Sequence, residues 1–179
     1  MDRNFSLDSI DLEILRLLQN DARITNRDLA DAVGIAPSTC LGRVSRLRSA
    51  GVIEQYTVRV HPAALGRPLE ALLAVRLQPH RQPYVDAFVE HVLAQPEART
   101  LYHLTGPDDY IIHVAAVDAA DLQRFVLNEL TSRPGVALVH TNLIFQQWPG
   151  TPLLPPGAKA RDTRPAIGRN QPELGRQSS

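Results

Sequence analysis

The chain has 179 residues, an apolar share of 44% and a formal net charge of zero. This length suits one ordinary domain or two small ones, and the apolar share predicts true hydrophobic cores. A single cysteine, Cys40, excludes a disulfide framework and a multi-cysteine metal site.

The neutral total hides a local gradient of charge. Between Asp31 and Glu54 there are three arginines and no carboxylate. Since local charge is what meets phosphate, the neutral total is weak evidence against binding to nucleic acid. The N-terminus is polar and lacks the apolar core of a signal peptide, and no apolar run is long enough to cross a bilayer. We therefore expect a cytoplasmic protein with no membrane partner.

Residues 8–20 predict a first helix. Asp8 can cap its first turn, and Asp11 adds a negative charge that the start of a helix favours. Apolar residues recur along this stretch at helical spacing, which gives the helix one buried stripe.

Residues 26–53 predict a second helix, a tight turn and a third helix. Thr25 is placed to cap the second helix, and Gly34 closes it, because glycine readily adopts the left-handed conformation of a tight turn. Pro37 suits the first turn of the third helix, where its missing N–H costs nothing. We expect this helix to run to about Ser49.

The third helix is predicted to have one apolar side and one polar side. The polar side carries Ser38, Thr39, Gly42, Arg43, Ser45 and Arg46. Hydroxyls near a helix start can bond phosphates or base edges, arginine forks match guanine or phosphate oxygens, and a glycine permits close approach. The pattern predicts a DNA-binding helix-turn-helix. The alternative is a small three-helix domain whose arginines are only solvated.

Two further signals delimit the domains. Residues 52–60 alternate apolar and polar positions like a strand, which predicts a β-wing or a linker strand. Turn-forming Pro and Gly then mark a break, so we expect a winged helix-turn-helix domain at residues 1–62 and a linker at 63–68. From residue 149 to 179 the composition predicts a largely disordered tail.

Residues 69–148 predict an α+β domain with alternating elements. The predicted order is strand 69–78, helix 84–94, strands 99–105 and 110–117, helix 120–130 and strand 136–145. This βαββαβ order is the ferredoxin-like arrangement. Both helices cover one face of such a sheet, so the other face needs either water or a partner.

The chain resembles the Lrp/AsnC, or feast/famine, family of transcription regulators. The N-terminal match covers LDSIDLEILRLLQNDARIT, the helix-turn-helix and RLRSAGVIEQYTV, and the second domain matches at TGPDDYIIHV, a Gly-x-x-Asp-Tyr loop between strands two and three. The resemblance spans about residues 5–148, nearly everything except the tail.

This resemblance implies a sequence-specific binder of double-stranded DNA that dimerises through its C-terminal sheets and often assembles into tetramers or octamers. It implies a roughly palindromic operator and a small effector, commonly an amino acid, that binds between effector domains. Carried over by position, the recognition helix holds Ser38, Thr39, Arg43 and Arg46. The effector loop holds Gly106, Asp109 and Tyr110, with Asp108 beside them. Gly42 and Arg48 depart from the residues usual in the family, which leaves the operator sequence open.

The residues of the effector loop, taken alone, allow two interpretations. A glycine lets a ligand approach the backbone, and a carboxylate can pair with an α-ammonium group. Pro107, Asp108 and Asp109 are equally good turn residues for a hairpin, with Tyr110 merely starting a strand.

Histidines raise an enzymatic alternative. His103, His113 and His140 fall on three predicted strands and could share the uncovered face of the sheet. Sirohaem decarboxylases are similar to this family, share its two-domain plan and use histidine and arginine, so a tetrapyrrole enzyme is the alternative function. Lone sheet histidines are more often interface or half-buried residues. We therefore predict no enzyme, no catalytic residues, no metal site and no cofactor.

Overall fold

A computed structural model describes residues 6–78 and 82–158, and the chain divides into two compact units. One unit holds the residues up to Val58 together with the segment from Pro149. The other spans Arg59–Trp148. Residues 59–68 therefore belong to the same unit as the strands that follow them.

Three helices form the first unit: α1 at Ser9–Asn20, α2 at Asn26–Val33 and α3 at Pro37–Ser49. Their buried core consists of Ile14, Leu29, Ala30, Cys40 and Leu47. The three predicted helices are confirmed, because helical spacing of apolar residues was enough to locate each buried stripe.

The predicted helix ends are also present. The Asp8 side chain accepts a hydrogen bond from the backbone N–H of Asp11 at 2.9 Å, and the Asp8 N–H donates to the Asp11 carboxylate at 3.2 Å. This reciprocal pair is a capping box. Thr25 caps α2, and Gly34 ends it at a φ of 72°. Pro37 occupies the first turn of α3.

The strand predicted over residues 52–60 is absent from the described part of the chain. Val52 and Ile53 are half-buried against the helical core, and the residues from Glu54 to Val60 are exposed coil. Alternation alone does not make a strand, since each strand needs a neighbour for its backbone hydrogen bonds. No described segment pairs with this one, so the prediction of a strand was wrong.

The second unit is a four-stranded antiparallel sheet with helices on one face. Its strands are β1 at Leu69–Leu77, β2 at Ala98–His103, β3 at Tyr110–Ala116 and β4 at Val136–Leu143. Helix α4 at Gln82–Leu93 joins β1 to β2, and α5 at Ala119–Phe125 continues as a π-helical turn at Val126–Thr131. The strand order β2-β3-β1-β4 confirms the predicted ferredoxin-like α+β topology.

The two faces of the sheet have different surroundings. On the covered face, Leu73 and Val75 of β1 are buried with Phe88 of α4 and Phe125 of α5. The alternate residues of the strands form the other face, which we call the open face. Strand register places Glu70, Leu72, Ala74, Arg76, Tyr102, Ile111, His113, Leu138 and His140 there.

The start of the tail differs from expectation. Residues 149–158 have no regular secondary structure, but Leu153 exchanges two hydrogen bonds with the Gln19 side chain of α1, at 2.8 and 3.0 Å. This part of the predicted disordered tail is thus held on the first unit. Residues 159–179, the rest of that prediction, lie outside the described residues. Among the residues that are described, no helix has the length and apolarity to span a membrane.

Candidate nucleic-acid interface and ligand cavity

One side of α3 is exposed to solvent. Ser38, Thr39, Gly42 and Ser45 are all exposed, as predicted. A Cβ added to Gly42 would meet no described atom within 4 Å. The Asn26 side chain donates to the Pro37 carbonyl at 2.8 Å and so fixes the start of α2 beside the start of α3. The start of α3 is therefore fixed against α2, while its outer side is exposed to solvent.

The two arginines predicted to face DNA are instead paired with carboxylates of α1. Arg43 donates from one nitrogen to Asp8 at 2.6 Å and to Asp11 at 2.9 Å. Arg46 bonds the second oxygen of Asp11, whose side chain is fully buried. We call Asp8, Asp11, Arg43 and Arg46 the α1–α3 clamp.

The hydrogen bonds and ion pairs of the clamp shift the pKa values of Asp8 and Arg43. The pKa of Asp8 is lowered, first by the hydrogen bond from the backbone N–H of Asp11 and then by the Arg43 side chain. The pKa of Arg43 is raised by its hydrogen bonds to Asp8 and then to Asp11. Arg43 is therefore a compensated charge that ties α3 to α1, and its guanidinium is occupied in the unbound protein.

Three exposed residues near α3 were not predicted as part of the interface. Leu41 is 61% exposed, although it lies between the buried Cys40 and the open Gly42. Arg27 on α2 and Arg48 on α3 are exposed cations, and the Arg48 guanidinium lies 5.8 Å from the ring centre of Tyr56. Helical projection places Leu41 away from the buried stripe, but the predicted interface was defined by its polar and charged residues.

The second unit holds an open cavity of about 670 Å³ at the loop between β2 and β3. Its lining includes Arg76 from β1, His103 from β2, and Thr105, Gly106 and Asp109 from the loop. Two of the four predicted effector residues, Gly106 and Asp109, line this open cavity. Asp108 and Tyr110 are not among the lining residues.

The loop beside this cavity is latched to β1. The Asp109 carboxylate accepts from the Leu77 backbone N–H at 2.7 Å, and the Asp109 N–H donates to the Val75 carbonyl at 2.9 Å. Arg76 donates to the Pro107 carbonyl at 2.6 Å. Gly106 has a φ of 139°, a conformation that side chains disfavour. The loop thus presents a preformed backbone next to one arginine.

Tyr110 supports the cavity from behind. Its side chain is only 1% exposed, and its ring packs 5.2 Å from Phe88 and 4.7 Å from the stacked ring of His103. Burial raises the pKa of Tyr110, with smaller contributions from Asp109 and Asp86. The residue predicted to touch an effector is a core residue that holds His103 in the cavity wall.

The three histidines do not share one face of the sheet. His103 pairs in register with Tyr110 on the covered face, whereas His113 and His140 lie on the open face. The prediction of a common face was wrong, because His103 pairs with Tyr110, and His113, three residues further along β3, lies on the opposite face of the sheet. His113 bonds Glu70 at 2.9 Å instead. Within residues 6–78 and 82–158 no group of three metal-ligating side chains occurs.

Comparisons with known proteins match both units. Residues 7–54 match the family model for winged helix-turn-helix DNA-binding, and residues 70–153 match that for the Lrp/AsnC ligand binding domain. The chain is 45% identical to the HTH-type transcriptional regulator AldR of Mycolicibacterium smegmatis, over 80% of this chain and 84% of the relative. It is 39% identical to the leucine-responsive regulatory protein of Rhizobium meliloti, over 79% of this chain and 90% of the relative.

A solved structure is similar along most of the chain. It is a transcriptional regulator from Neisseria meningitidis in complex with L-Met, with a TM-score of 0.78 and 31% identity. The similarity covers 84% of this chain and 97% of that chain.

Proposed function

The chain belongs to the Lrp/AsnC family of DNA-binding transcriptional regulators, and from this premise we propose that α3 recognises a specific operator and that an amino-acid effector binds beside Gly106. The observation that carries the DNA contact is the exposed half of α3, where Ser38, Thr39, Gly42 and Ser45 face solvent. A helix of this kind enters the major groove with its N-terminal residues against base edges.

The contacts with DNA divide into two classes. Ser38, Gly42 and Ser45 lie along the middle of the exposed face, where they can meet base edges, while Arg27 and Arg48 supply exposed charge for phosphates. Arg43 and Arg46 hold α3 in place through ion pairs with Asp8 and Asp11. To contact a phosphate, each guanidinium must bond the phosphate and its carboxylate together or break the ion pair. Two copies of the chain would read a roughly palindromic operator, with half-sites about one helical turn apart or a multiple of it.

A single negative charge on this face tests the contact. Ser45→Glu should lower affinity for the DNA upstream of the chain's own gene by at least about tenfold, since a carboxylate there repels phosphate. Gel shifts at several salt concentrations provide the measurement. The matched control is Gln123→Glu, which adds the same charge to an exposed position on α5. Equal binding by the Ser45→Glu variant and the unmodified protein would reject α3 as the reading helix.

The cavity has the chemistry for a free amino acid. The Arg76 guanidinium can pair with an α-carboxylate, the Asp109 carboxylate can attract an α-ammonium group, and Gly106 lets the ligand approach the backbone. The similar Neisseria protein was solved with L-Met, which supports the same ligand class. Asp109 already accepts from Leu77, so effector binding would compete with or extend that latch.

Arg76 offers a direct test of the effector site. We expect at least one of the twenty amino acids to raise the melting temperature, and Arg76→Ala to weaken that ligand about tenfold or more by loss of a charge-assisted hydrogen bond. Arg99→Ala is the control, because Arg99 is an exposed arginine of β2 that does not line the cavity. Light scattering on the same samples reports whether the ligand changes the assembled mass. No shift with any amino acid would reject this ligand class and leave DNA binding intact.

Self-assembly is part of the proposal. The open face exposes Tyr102 and Leu138, and Phe145 and Trp148 beyond β4 are also exposed. Exposed apolar surface of this kind is stabilised when a second copy of the chain covers it and excludes water. The family resemblance favours a dimer that assembles further into tetramers or octamers. An operator-binding role also favours a cytoplasmic location. The same light-scattering measurement, without ligand, tests for at least a dimer.

The tetrapyrrole-enzyme alternative finds no support in the histidine geometry. His103 is separated from His113 and His140 by the sheet itself. The curated relatives named above are transcriptional regulators. No observation favours a second function, and the regulator is the function we propose.

A further inference from the structure

We propose that Leu41 is a specificity-determining residue that contacts the C5-methyl group of a thymine in each half-site. This inference rests on the proposed role of α3 as the reading helix. It goes further, because it assigns base recognition to a side chain that is neither polar nor charged.

Among the described residues of its unit, Leu41 is not part of the hydrophobic core. It is 61% exposed, while the core side of α3 is completed by Cys40 and Leu47. It lies three residues after Ser38 and four before Ser45, so the three share one flank of the exposed helix face. An aliphatic side chain left on the face that enters the groove is available to be buried by DNA.

The charges of α3 point away from arginine as the main base reader. Arg43 and Arg46 are engaged with Asp8 and Asp11, so guanine recognition through either would need an existing ion pair to open or be shared. Arg48, near the C-terminal end of α3, is exposed and is assigned above to phosphate. Around Leu41 the exposed side carries only small neutral residues, and Gly42 leaves the backbone open to close approach. A side chain such as Leu41 would then protrude furthest toward the bases.

The major groove offers one apolar group on its base edges, the thymine methyl. Leucine cannot donate or accept a hydrogen bond, so its favourable contact is with that methyl. The hydroxyls of Ser38 and Ser45 beside it can bond either a donor or an acceptor and do not restrict the base. The arrangement selects an A·T pair at the position under Leu41.

Replacing thymine by uracil removes only this methyl group and provides the test. The full chain is first used to select duplexes from a random-sequence library long enough for two half-sites. Each thymine of the selected duplex is then replaced by uracil in turn, and binding is measured by titration. One position per half-site should lose about fourfold in affinity, the worth of one buried methyl-sized group.

The same substitutions are repeated with Leu41→Ala and with Val58→Ala. The uracil effect should vanish in Leu41→Ala and persist in Val58→Ala, whose side chain is 76% exposed but lies outside α3. Circular dichroism confirms that both variants are folded. Only the ratio of thymine to uracil affinities is compared, so a general loss of binding does not imitate the result.

The possible failures are distinguishable. If the unmodified protein selects no sequence, the proposed operator recognition fails. If it selects a sequence but no uracil substitution weakens binding, or the weakening survives in Leu41→Ala, the thymine contact is overturned and the regulator stands. If Leu41→Ala changes the assembled mass and not the uracil response, Leu41 belongs to an interface between copies, which also overturns the inference.

Discussion

Replacing Asp11 by asparagine is expected to destabilise the helical unit by about 3 kcal/mol, the lower end of the range for breaking a buried ion pair. The Asp11 side chain is fully buried and accepts from Arg43, Arg46 and the backbone N–H of Asp8. Asparagine keeps the shape but removes the charge and one acceptor. The figure falls at the lower end because both arginines remain partly exposed and can turn toward water.

Hydrogen exchange measures this effect in the right unit. Peptides from α1, α2 and α3 should lose protection together, while peptides from the sheet should be unchanged, because the two units are separate compact bodies. Asp31→Asn is the control, since Asp31 is an exposed carboxylate on α2 and its loss should cost within about 0.5 kcal/mol. Equal protection in the two variants would show that the clamp contributes little.

The clamp also predicts a consequence for DNA binding. Without the Asp11 carboxylate, α3 loses the buried charge that Arg43 and Arg46 share, and the Arg43–Asp8 ion pair still ties α3 to the start of α1. Binding to the selected operator should weaken more than binding to random duplex, because sequence reading needs a fixed helix whereas phosphate attraction needs only charge. Titration of both duplexes with the Asp11→Asn variant separates the two effects. An equal loss on both duplexes would show that the clamp does not serve sequence reading.

Local features of the sequence determined what could be predicted in the first unit. The caps at Asp8 and Thr25 and the turn at Gly34 depend on residues within four positions of each other, so they followed from local rules. The pairing of Asp11 with Arg43 joins residues 32 positions apart. Helical projection placed Arg43 away from the core, but it could not show that a carboxylate of α1 would meet it there.

In the sheet, too, the order of elements could be predicted from the sequence, whereas the pairing between strands could not. The order of elements predicted the ferredoxin-like arrangement. The expected common face of the three histidines was wrong because it depends on strand pairing, which sets His103 opposite Tyr110 on the covered face while His113 lies on the other. The strand over residues 52–60 was wrong for a related reason, since its pattern fits a strand but the described chain supplies no neighbour. Pairing is a property of two segments, and a single segment does not encode it.

Tyr110 has the second large expected effect, and it separates a core role from a ligand-binding role. Tyr110→Ala should destabilise the sheet unit by about 4 kcal/mol, because it removes a fully buried ring that packs on Phe88 and His103. Tyr110→Phe should cost within about 1 kcal/mol, since it keeps the ring and removes only the hydroxyl. Hydrogen exchange of β3 and α4 peptides measures both, and a large loss in Tyr110→Phe would mean that the hydroxyl carries the stability.

The two variants should also differ in effector binding. Without the ring, His103 loses its stacking partner and the wall of the cavity is no longer fixed, so Tyr110→Ala should weaken the effector at temperatures where the unit is still folded. Tyr110→Phe should bind the effector as the unmodified protein does, because the buried hydroxyl does not line the cavity. Calorimetric titration with the amino acid found in the melting screen provides the comparison. A clear loss of effector affinity in Tyr110→Phe would show that the hydroxyl contacts the ligand, because the ring is still in place in this variant.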